Sequence, residues 1–122
     1  KTKCVRSAVV AATEFLENDE RVNAGNGSSL TINGTIEGDA AIMNITDNSW
    51  SSMGALPNVI NPIKGVEKLY LKAKEPLSNG RIPPIFLCGQ SAQNWCKQND
   101  IPIYDTFKPN NKQQNIFDKY NK

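Results

Sequence analysis

Apolar residues recur at helical spacing near the start of the chain, between Thr2 and Leu16. Two neighbouring apolar stripes run along this stretch, one made of Val5, Val9, Ala12 and Leu16 and the other of Cys4, Ala8, Ala11 and Phe15. A helix with so wide an apolar face is usually buried on more than one side. The pattern therefore predicts a helix that lies on a sheet and is covered by another layer, which a chain of this size could hardly supply alone.

Two later stretches also have helical spacing. Asn61 is a good N-cap and Pro62 a good first residue, and an apolar face follows that consists of Ile63, Val66, Leu69, Tyr70 and Ala73. The last predicted helix begins after Ser91, turns Ala92, Trp95 and Cys96 inward, and ends at Asn99 before Pro102. The chain therefore alternates helices with other elements.

Strand patterns lie between the helices. Leu30 and Ile32 alternate with polar residues, and Asn33-Gly34 is a strong hairpin signal, so Ile36 through Met43 is predicted to return as the second strand. A third strand is predicted over residues 52–59, with Pro57 at a bulge or an edge. The short apolar run from Ile85 to Cys88 predicts a buried strand. Helices and strands together indicate an α+β fold.

The end of the chain has a different composition. Residues 108–122 are rich in Asn, Lys and Gln and hold few apolar side chains, which is typical of a loop or a disordered tail. The expected organisation is one partial domain over residues 1–104, followed by a linker or disordered tail over residues 105–122.

Composition narrows the class of protein. The hydrophobic content of 39% is that of a globular domain, and no apolar run approaches the roughly 20 residues that a membrane-spanning helix needs, so no membrane association is expected. The net charge is +2, and the only basic cluster, Lys108, Lys112, Lys119 and Lys122, is too sparse for nucleic-acid binding.

The residue types available limit the chemistry. The sequence has no histidine, which excludes histidine-based catalysis and most zinc sites within this chain. Its three cysteines, Cys4, Cys88 and Cys96, have neither zinc-like nor redox-like spacing, so buried thiols in a reducing compartment are expected. We accordingly expect no cofactor, no metal and an intracellular location, in the cytoplasm, the nucleus or both.

Two motifs carry a resemblance to a known family. The segment Asn23-Ala24-Gly25-x-Gly27-Ser28, followed by Asp39-Ala40-Ala41-Ile42-Met43, resembles the asparaginase and isoaspartyl-peptidase family of N-terminal-nucleophile (Ntn) hydrolases. Met53-Gly54-Ala55-Leu56 with Ile60-Asn61-Pro62-Ile63 is similar to the family's third strand and following helix. Gly80-Arg81-Ile82-Pro83-Pro84-x-Phe86-Leu87 resembles a segment typical of its threonine aspartase (taspase) branch. Two positions depart from the pattern. Arg21 stands where the family usually has an apolar or aromatic residue, and Gly38 stands where taspase has cysteine.

The resemblance implies the α-subunit part of an αββα sandwich, incomplete at both ends. In this family a precursor cuts itself into an α and a β subunit and frees a threonine, whose hydroxyl attacks a carbonyl while its own amine acts as base. The partners implied are a β-subunit half bearing that threonine, an (αβ)2 assembly, and protein substrates cleaved after aspartate. Because the expected Thr-Val-Gly strand is missing after Ile103, the chain alone should be inactive.

Two other functions stay open at this point. One is the asparaginase, isoaspartyl peptidase or glycosylasparaginase branch of the same family, whose substrates are small amides or isoaspartyl peptides. The other is a non-catalytic partner that pairs with a full-length protomer through exposed sheet edges.

Candidate site residues follow from the resemblance. Asn23 is expected to face the catalytic threonine, in a supporting role in which its amide holds the nucleophile or the developing oxyanion; otherwise it is a turn residue bonding its own backbone. Gly25 and Gly27 are expected to shape the backbone of the substrate pocket. A lone Asp39 is expected to be structural. Asp105-Thr106 mimics the processing pair, but Pro109 follows where a buried strand should run, so Thr106 is not expected to be the nucleophile.

The resemblance also relates one segment of this chain to a cation site of some relatives. The backbone around Leu16 and Glu17 corresponds to a loop that binds a monovalent cation in some relatives.

Overall fold

The chain folds around a small sheet with helices on one side. The computed structural model describes residues 4–121. Its elements are α1 (Val5–Glu17), a 3-10 turn (Gly25–Gly27), β1 (Glu37–Asn44), β2 (Ser49–Pro57), α2 (Pro62–Lys72), a 3-10 turn (Ser78–Gly80), β3 (Phe86–Cys88), α3 (Gly89–Gln98) and α4 (Asn111–Tyr120). This mixed architecture is the predicted α+β class.

The sheet has the strand order β1-β2-β3. β1 and β2 are antiparallel, and β2 and β3 are parallel over Ser52–Gly54 and Phe86–Cys88. The register shifts between Gly38 and Ala40, where β2 has one extra residue and Ala55 takes a φ of 46°. This bulge is stabilised by the Asp39 carboxylate, which accepts the backbone N–H of Ala55 at 2.8 Å.

One face of the sheet carries the core. Its buried apolar residues come from β1, β2, α2 and α3, with one residue of α1 and one of the loop between β2 and α2; they are Val10, Ile42, Met53, Leu56, Val59, Ile63, Val66, Leu69, Tyr70, Ala92 and Cys96. At the centre of the core, α2 approaches α3 and β2 closely at Gly65, where an added Cβ would lie 3.1 Å from Cys96 Sγ and 3.2 Å from Met53 Sδ. Helices α2 and α3 therefore cover the same face of the sheet.

The other face of the sheet is not covered by any described residue to the same degree. Strand alternation and register place Ala41, Met43, Trp50 and Phe86 on this face. All four are exposed, Met43 by 71% and Phe86 by 51%. We call these four side chains the open face.

Helix α1 lies beside α2, to which it is held by polar contacts. Arg6 Nε lies 3.1 Å from Glu67 Oε1, and Glu14 pairs with Lys64. Only Val10 and Glu17 of α1 are buried. The predicted apolar stripes are instead largely exposed, with Val5 at 77% and Phe15 at 73%. The expected burial of α1 is therefore not supplied by the described residues.

The predicted hairpin at Asn33-Gly34 is wrong. Residues 29–36 form no strand, because a local turn closes there: Gly34 has a φ of 73°, and the backbone N–H of Thr31 donates to the carbonyl of Thr35 at 2.8 Å. The real hairpin joins β1 to β2 through residues 45–48, with Asn48 at a φ of 53°. Its second strand is the predicted third one, begun three residues earlier.

The remaining elements follow the prediction with adjustments. α2 begins at Pro62 as expected, although the Asn61 side chain makes no capping bond and donates instead to Asn18 Oδ1 at 2.9 Å. β3 is present but has an exposed rather than a buried pattern. α3 begins at Gly89, before the predicted Ser91 cap, and ends at Asn99 as expected.

Helix α4 contradicts the prediction of a loop or disordered tail for its ten residues. It begins with a capping box, in which Asn110 Oδ1 accepts the Gln113 N–H at 2.9 Å and Gln113 Oε1 accepts the Asn110 N–H at 2.8 Å. The reciprocal pair satisfies two N–H groups that a helix start leaves free. The local motif thus outweighs the polar composition.

Two further expectations concern exposure. Of the cysteines, Cys96 is buried, but Cys4 and Cys88 are exposed, so the prediction of buried thiols is wrong for those two. Among residues 4–121 no helix is both long and apolar enough to cross a membrane. The same residues contain no group of three or more His, Cys, Asp or Glu side chains placed to hold a metal ion.

Candidate functional site

A polar cleft of about 390 Å³ opens between the glycine-rich loop, the start of β1 and the start of α2. Its lining residues are Glu17, Asn23, Ala24, Gly25, Ser28, Ser29, Glu37, Gly38, Asp39 and Pro62. Both motifs that carry the family resemblance contribute to this lining. The fold thus brings together segments that lie about a dozen residues apart in the sequence.

The loop from Ala24 to Ser28 needs its glycines. Gly25 has a φ of 52°, a conformation that side chains disfavour, and a Cβ there would collide with the Glu17 backbone at the end of α1. A Cβ on Gly27 would collide with the carbonyl of Val22. Only glycine allows the loop to approach these backbone atoms. Gly25 lines the cleft, whereas Gly27 does not.

Asn23 stands at the edge of the cleft and is exposed. Its Oδ1 accepts the backbone N–H of Ser29 at 2.8 Å, across the glycine loop. This bond spans six residues, so it is not the short turn contact in which an asparagine bonds the backbone two residues on. It fixes the orientation of the side-chain amide. Oδ1 is used as an acceptor in this bond, and Nδ2 is the donor that the side chain can offer to a bound group.

The opposite wall is formed by β1 and α2. Gly38 lies against Pro62 so closely that an added Cβ would be 2.6 Å from Pro62 Cγ. The cysteine expected here for the taspase branch would therefore not fit without movement of Pro62. Asp39 follows, and its bond to Ala55 gives it the structural role that was expected.

A buried carboxylate closes one end of the cleft. Glu17 is 3% exposed, and its Oε1 accepts the backbone N–H of Ile63 in the first turn of α2 at 3.0 Å. Its Oε2 is buried and has no hydrogen-bond partner among residues 4–121. Burial raises the pKa of Glu17, because the charged form loses water, and the Ile63 N–H offsets only part of this. Glu17 thus joins the end of α1 to the start of α2.

Two residues near the site were missed from the sequence. Gln113 of α4 is buried, and its Nε2 donates to the carbonyls of Asn26 at 3.0 Å and Ser28 at 2.7 Å. The Tyr104 hydroxyl lies 3.3 Å from Asn26 Oδ1. Both hold the glycine loop from the side away from the cleft. The capping-box pattern at Asn110 was the only sequence signal that could have drawn attention to Gln113.

Two other residues do not join the cleft. Thr106 is exposed in a bend and lies outside every strand, so it has no place among the lining residues. Arg21 pairs with Asp19, with Nη2 and Oδ2 2.6 Å apart. The Arg21 side chain lowers the pKa of Asp19 to about 2 through this pair. Arg21 therefore acts in a local ion pair on the surface.

The lining can orient a substrate but offers no complete nucleophile. An activated hydroxyl needs a base within hydrogen-bond reach. The lining residues include serines, an amide and carboxylates, but no lysine, histidine or amino terminus. The described part of the cleft thus lacks the lysine, histidine or free amine that would activate a serine hydroxyl.

Known proteins match this chain over most of its length. The asparaginase family model matches residues 1–121. Isoaspartyl peptidase/L-asparaginase of Mus musculus is 37% identical over 95 residues, which are 78% of this chain and 26% of that protein. The Bos taurus protein of the same name is 38% identical over 95 residues, 78% of this chain and 28% of its own length. Plant-type L-asparaginase of Pyrococcus furiosus is 32% identical over 98 residues, 80% of this chain and 29% of its own length.

The extent of these matches defines what they show. The chain spans about a quarter to three tenths of the length of the relatives it matches. The family model covers nearly all of the chain itself, including both motifs and the residues of the cleft. The chain therefore belongs to the asparaginase family, within the superfamily of Ntn hydrolases.

Proposed function

We propose that this chain is the α-subunit-type region of a threonine-type hydrolase whose nucleophile lies outside these 122 residues. The observation that carries the proposal is the cleft itself, in which the family's Asn23-to-Ser28 loop faces the start of β1 and offers an oriented amide without a nucleophile. A threonine with a free amine would supply both the hydroxyl and the base. The Asn23 amide would then hold the nucleophile or the oxyanion.

The open face of the sheet supports a sandwich with a second half. Two sheets that pack face to face are about 10 Å apart and bury apolar side chains between them. Ala41, Met43, Trp50 and Phe86 present such side chains on the face opposite α2 and α3. We propose that a β-type half covers them, giving an αββα sandwich, and that two such units form an (αβ)2 assembly.

Within the family we propose the taspase branch, which cleaves proteins after aspartate. The support is the segment from Gly80 to Leu87, whose resemblance to that branch includes Arg81-Ile82-Pro83-Pro84. Its Phe86 ring lies 3.7 Å from where a Cβ on Gly54 would be, and Asp39 Oδ1 lies 3.4 Å from the same point. Phe86 and Asp39 thus flank Gly54, which brings the end of this segment near a wall of the cleft.

A second candidate is isoaspartyl peptidase and asparaginase activity. The names of the mouse, bovine and archaeal relatives favour it, and their identity to this chain is 32–38%. It requires only that a small amide or isoaspartyl group reach the cleft. Glycosylasparaginase activity belongs to the same alternative.

The test uses the complete protein and three kinds of substrate. A peptide with an α-linked internal aspartate, an isoaspartyl dipeptide and L-asparagine are compared by kcat/KM. Taspase-type function predicts hydrolysis of the first substrate, on the carboxyl side of aspartate, well above the other two. Preference for isoaspartyl dipeptide or asparagine would establish the second candidate instead.

Substitutions connect the activity to the cleft. Asn23→Ala should lower kcat by about 10²–10³-fold, as loss of one oxyanion donor does. Thr106→Ala is the matched control and should leave activity unchanged, because Thr106 lies outside the cleft. An inactive complete protein that nevertheless binds and inhibits an active protomer would favour the non-catalytic partner and refute the proposal.

A further inference from the structure

Helix α4 is fastened to the glycine loop through one buried side chain. Gln113 occupies the third position of α4, and 5% of it is exposed. Its nearest partners in the loop, Asn26 and Ser28, lie 87 and 85 residues away in the sequence. No described element other than α4 is bonded to both of these carbonyls by a single side chain.

The Gln113 amide uses its hydrogen-bonding groups fully. Its two N–H donors point at the carbonyls of Asn26, at 3.0 Å, and Ser28, at 2.7 Å, while Oε1 accepts the Asn110 N–H in the capping box. A primary amide is the side-chain group that can donate twice and accept at the same time in this geometry. Glutamate or methionine of similar size cannot do so.

These two carbonyls lie on either side of Gly27, in a loop with little structure of its own. The loop contains one 3-10 turn, in which the Gly27 N–H donates to the Ala24 carbonyl at 3.1 Å and the Ser28 N–H donates to the Gly25 carbonyl at 3.2 Å. Its conformation therefore depends on contacts from outside. Gln113 supplies two of them, and the Tyr104 hydroxyl supplies one more through Asn26.

The loop passes this constraint to Asn23. The residue after Ser28 is Ser29, and its N–H donates to Asn23 Oδ1 at 2.8 Å. A shift of the Ser28 carbonyl moves the peptide plane that holds the Ser29 N–H, because both belong to the same planar peptide unit. The Asn23 amide is therefore oriented by a chain of two contacts that begins at Gln113.

We propose that Gln113 is a positioning residue, which holds the Asn23 amide in its working orientation through the Asn26-to-Ser29 backbone. The inference rests on the proposed function for Asn23. It assigns helix α4 a part in the active site, although α4 does not line the cleft. Loss of the two hydrogen bonds from Gln113 to the loop should impair turnover more than substrate binding, since displacement of about 1 Å in a catalytic group can cost 10²-fold in rate.

The decisive variant is Gln113→Glu in the complete protein. Glutamate keeps the size of the side chain and the acceptor for the Asn110 N–H, and it is favoured at this position of a capping box. It removes both donors and places a carboxylate against two carbonyls. The matched control is Gln114→Glu, which makes the same chemical change on the next, exposed residue of α4.

Two measurements separate this inference from the proposed function. By hydrogen exchange, Gln113→Glu should increase exchange at the amides of Ser28 and Ser29, with α4 itself unchanged, whereas Gln114→Glu should match wild type. By kinetics, Gln113→Glu should lower kcat by about 10- to 100-fold and change KM by less than about twofold. Gln113→Met carries the same expectation without the charge, should Gln113→Glu fail to fold.

The outcomes distinguish the two claims. If Gln113→Glu increases exchange in the loop but the wild-type protein hydrolyses no amide, the contacts of Gln113 are supported and the proposed function is refuted. Normal kcat in Gln113→Glu, in an active protein, overturns the positioning role. An increase in KM alone also overturns it, because the effect would then be on substrate binding and not on turnover. Failure of both Gln113 variants to fold overturns it as well, because it would show a purely structural role.

Discussion

The contact between Gly38 and Pro62 determines whether a side chain can stand where β1 enters the cleft. Gly38→Ala would place a Cβ 2.6 Å from Pro62 Cγ, well inside the closest approach of two carbons. Pro62 is buried at the first position of α2 and its ring is rigid, so β1 or α2 must shift. Such overpacking costs about 1–3 kcal/mol. The cysteine of the taspase branch would carry the same penalty.

Pro62→Ala removes the colliding atom and should reverse the sign of the effect. The next atom, Pro62 Cβ, is 3.6 Å from the added Cβ, which is an ordinary contact. In that background Gly38→Ala should be neutral or stabilising by up to about 1 kcal/mol, because alanine restricts the unfolded chain. The expected coupling between the two substitutions is therefore about 1–4 kcal/mol, as the sum of the two effects.

The assay is a double-mutant cycle by urea unfolding of wild type, both single variants and the double variant. Gly38→Ser in the wild-type background serves as a second probe, since it adds the same Cβ. If the changes in the free energy of unfolding caused by the two single substitutions add up to the change in the double variant within about 0.5 kcal/mol, the two residues do not collide and the reasoning is refuted.

Three further predictions concern ionisable groups. Burial raises the pKa of Glu17, so the folded protein loses stability as pH rises above the unfolded value of about 4.3, where the buried carboxyl must ionise. In urea unfolding, the free energy of unfolding of Glu17→Gln should therefore increase relative to that of wild type between about pH 4 and pH 7. A difference that stays constant over this range would contradict the prediction. Lys74 and Ser49 lower the pKa of Asp47 to about 2, so any stability from this exposed group is lost only as pH falls towards 2. NMR titration of Lys74→Met should show a higher pKa for Asp47. An unchanged pKa would exclude the Lys74–Asp47 contact as the cause. Burial raises the pKa of Cys96 to about 11, so iodoacetamide at about pH 8 should label it only in urea, and labelling of the folded protein would show that the core opens readily.

Local signals in the sequence were sufficient where one segment decides its own structure. Pro62 at the start of α2, its apolar face and the end of α3 at Asn99 were all predicted, because capping and helical periodicity act within a few residues. The glycine-loop motif and the Asp39-to-Met43 motif likewise indicated the family. These features are encoded within short segments.

The errors arose where two segments distant in the sequence, or two local signals, compete. Asn33-Gly34 does form a turn, but β1 pairs instead with the longer β2, whose Met53 and Leu56 reach the core. Along residues 108–122 the polar composition concealed a capping box and a buried Gln113. The contacts of Gln113 with Asn26 and Ser28 depend on the folded arrangement, which no periodicity in the chain reveals.

The proposed function requires a threonine amino terminus outside this chain to complete the cleft at Asn23. Intact-mass and amino-terminal analysis of the purified complete protein tests it directly, together with hydrolysis of the aspartyl, isoaspartyl and asparagine substrates. We expect a processed fragment that begins with threonine, and a loss of about a millionfold in rate when that threonine is replaced by alanine. Hydrolysis that survives the replacement, or a processed fragment that begins at Thr106, would contradict it.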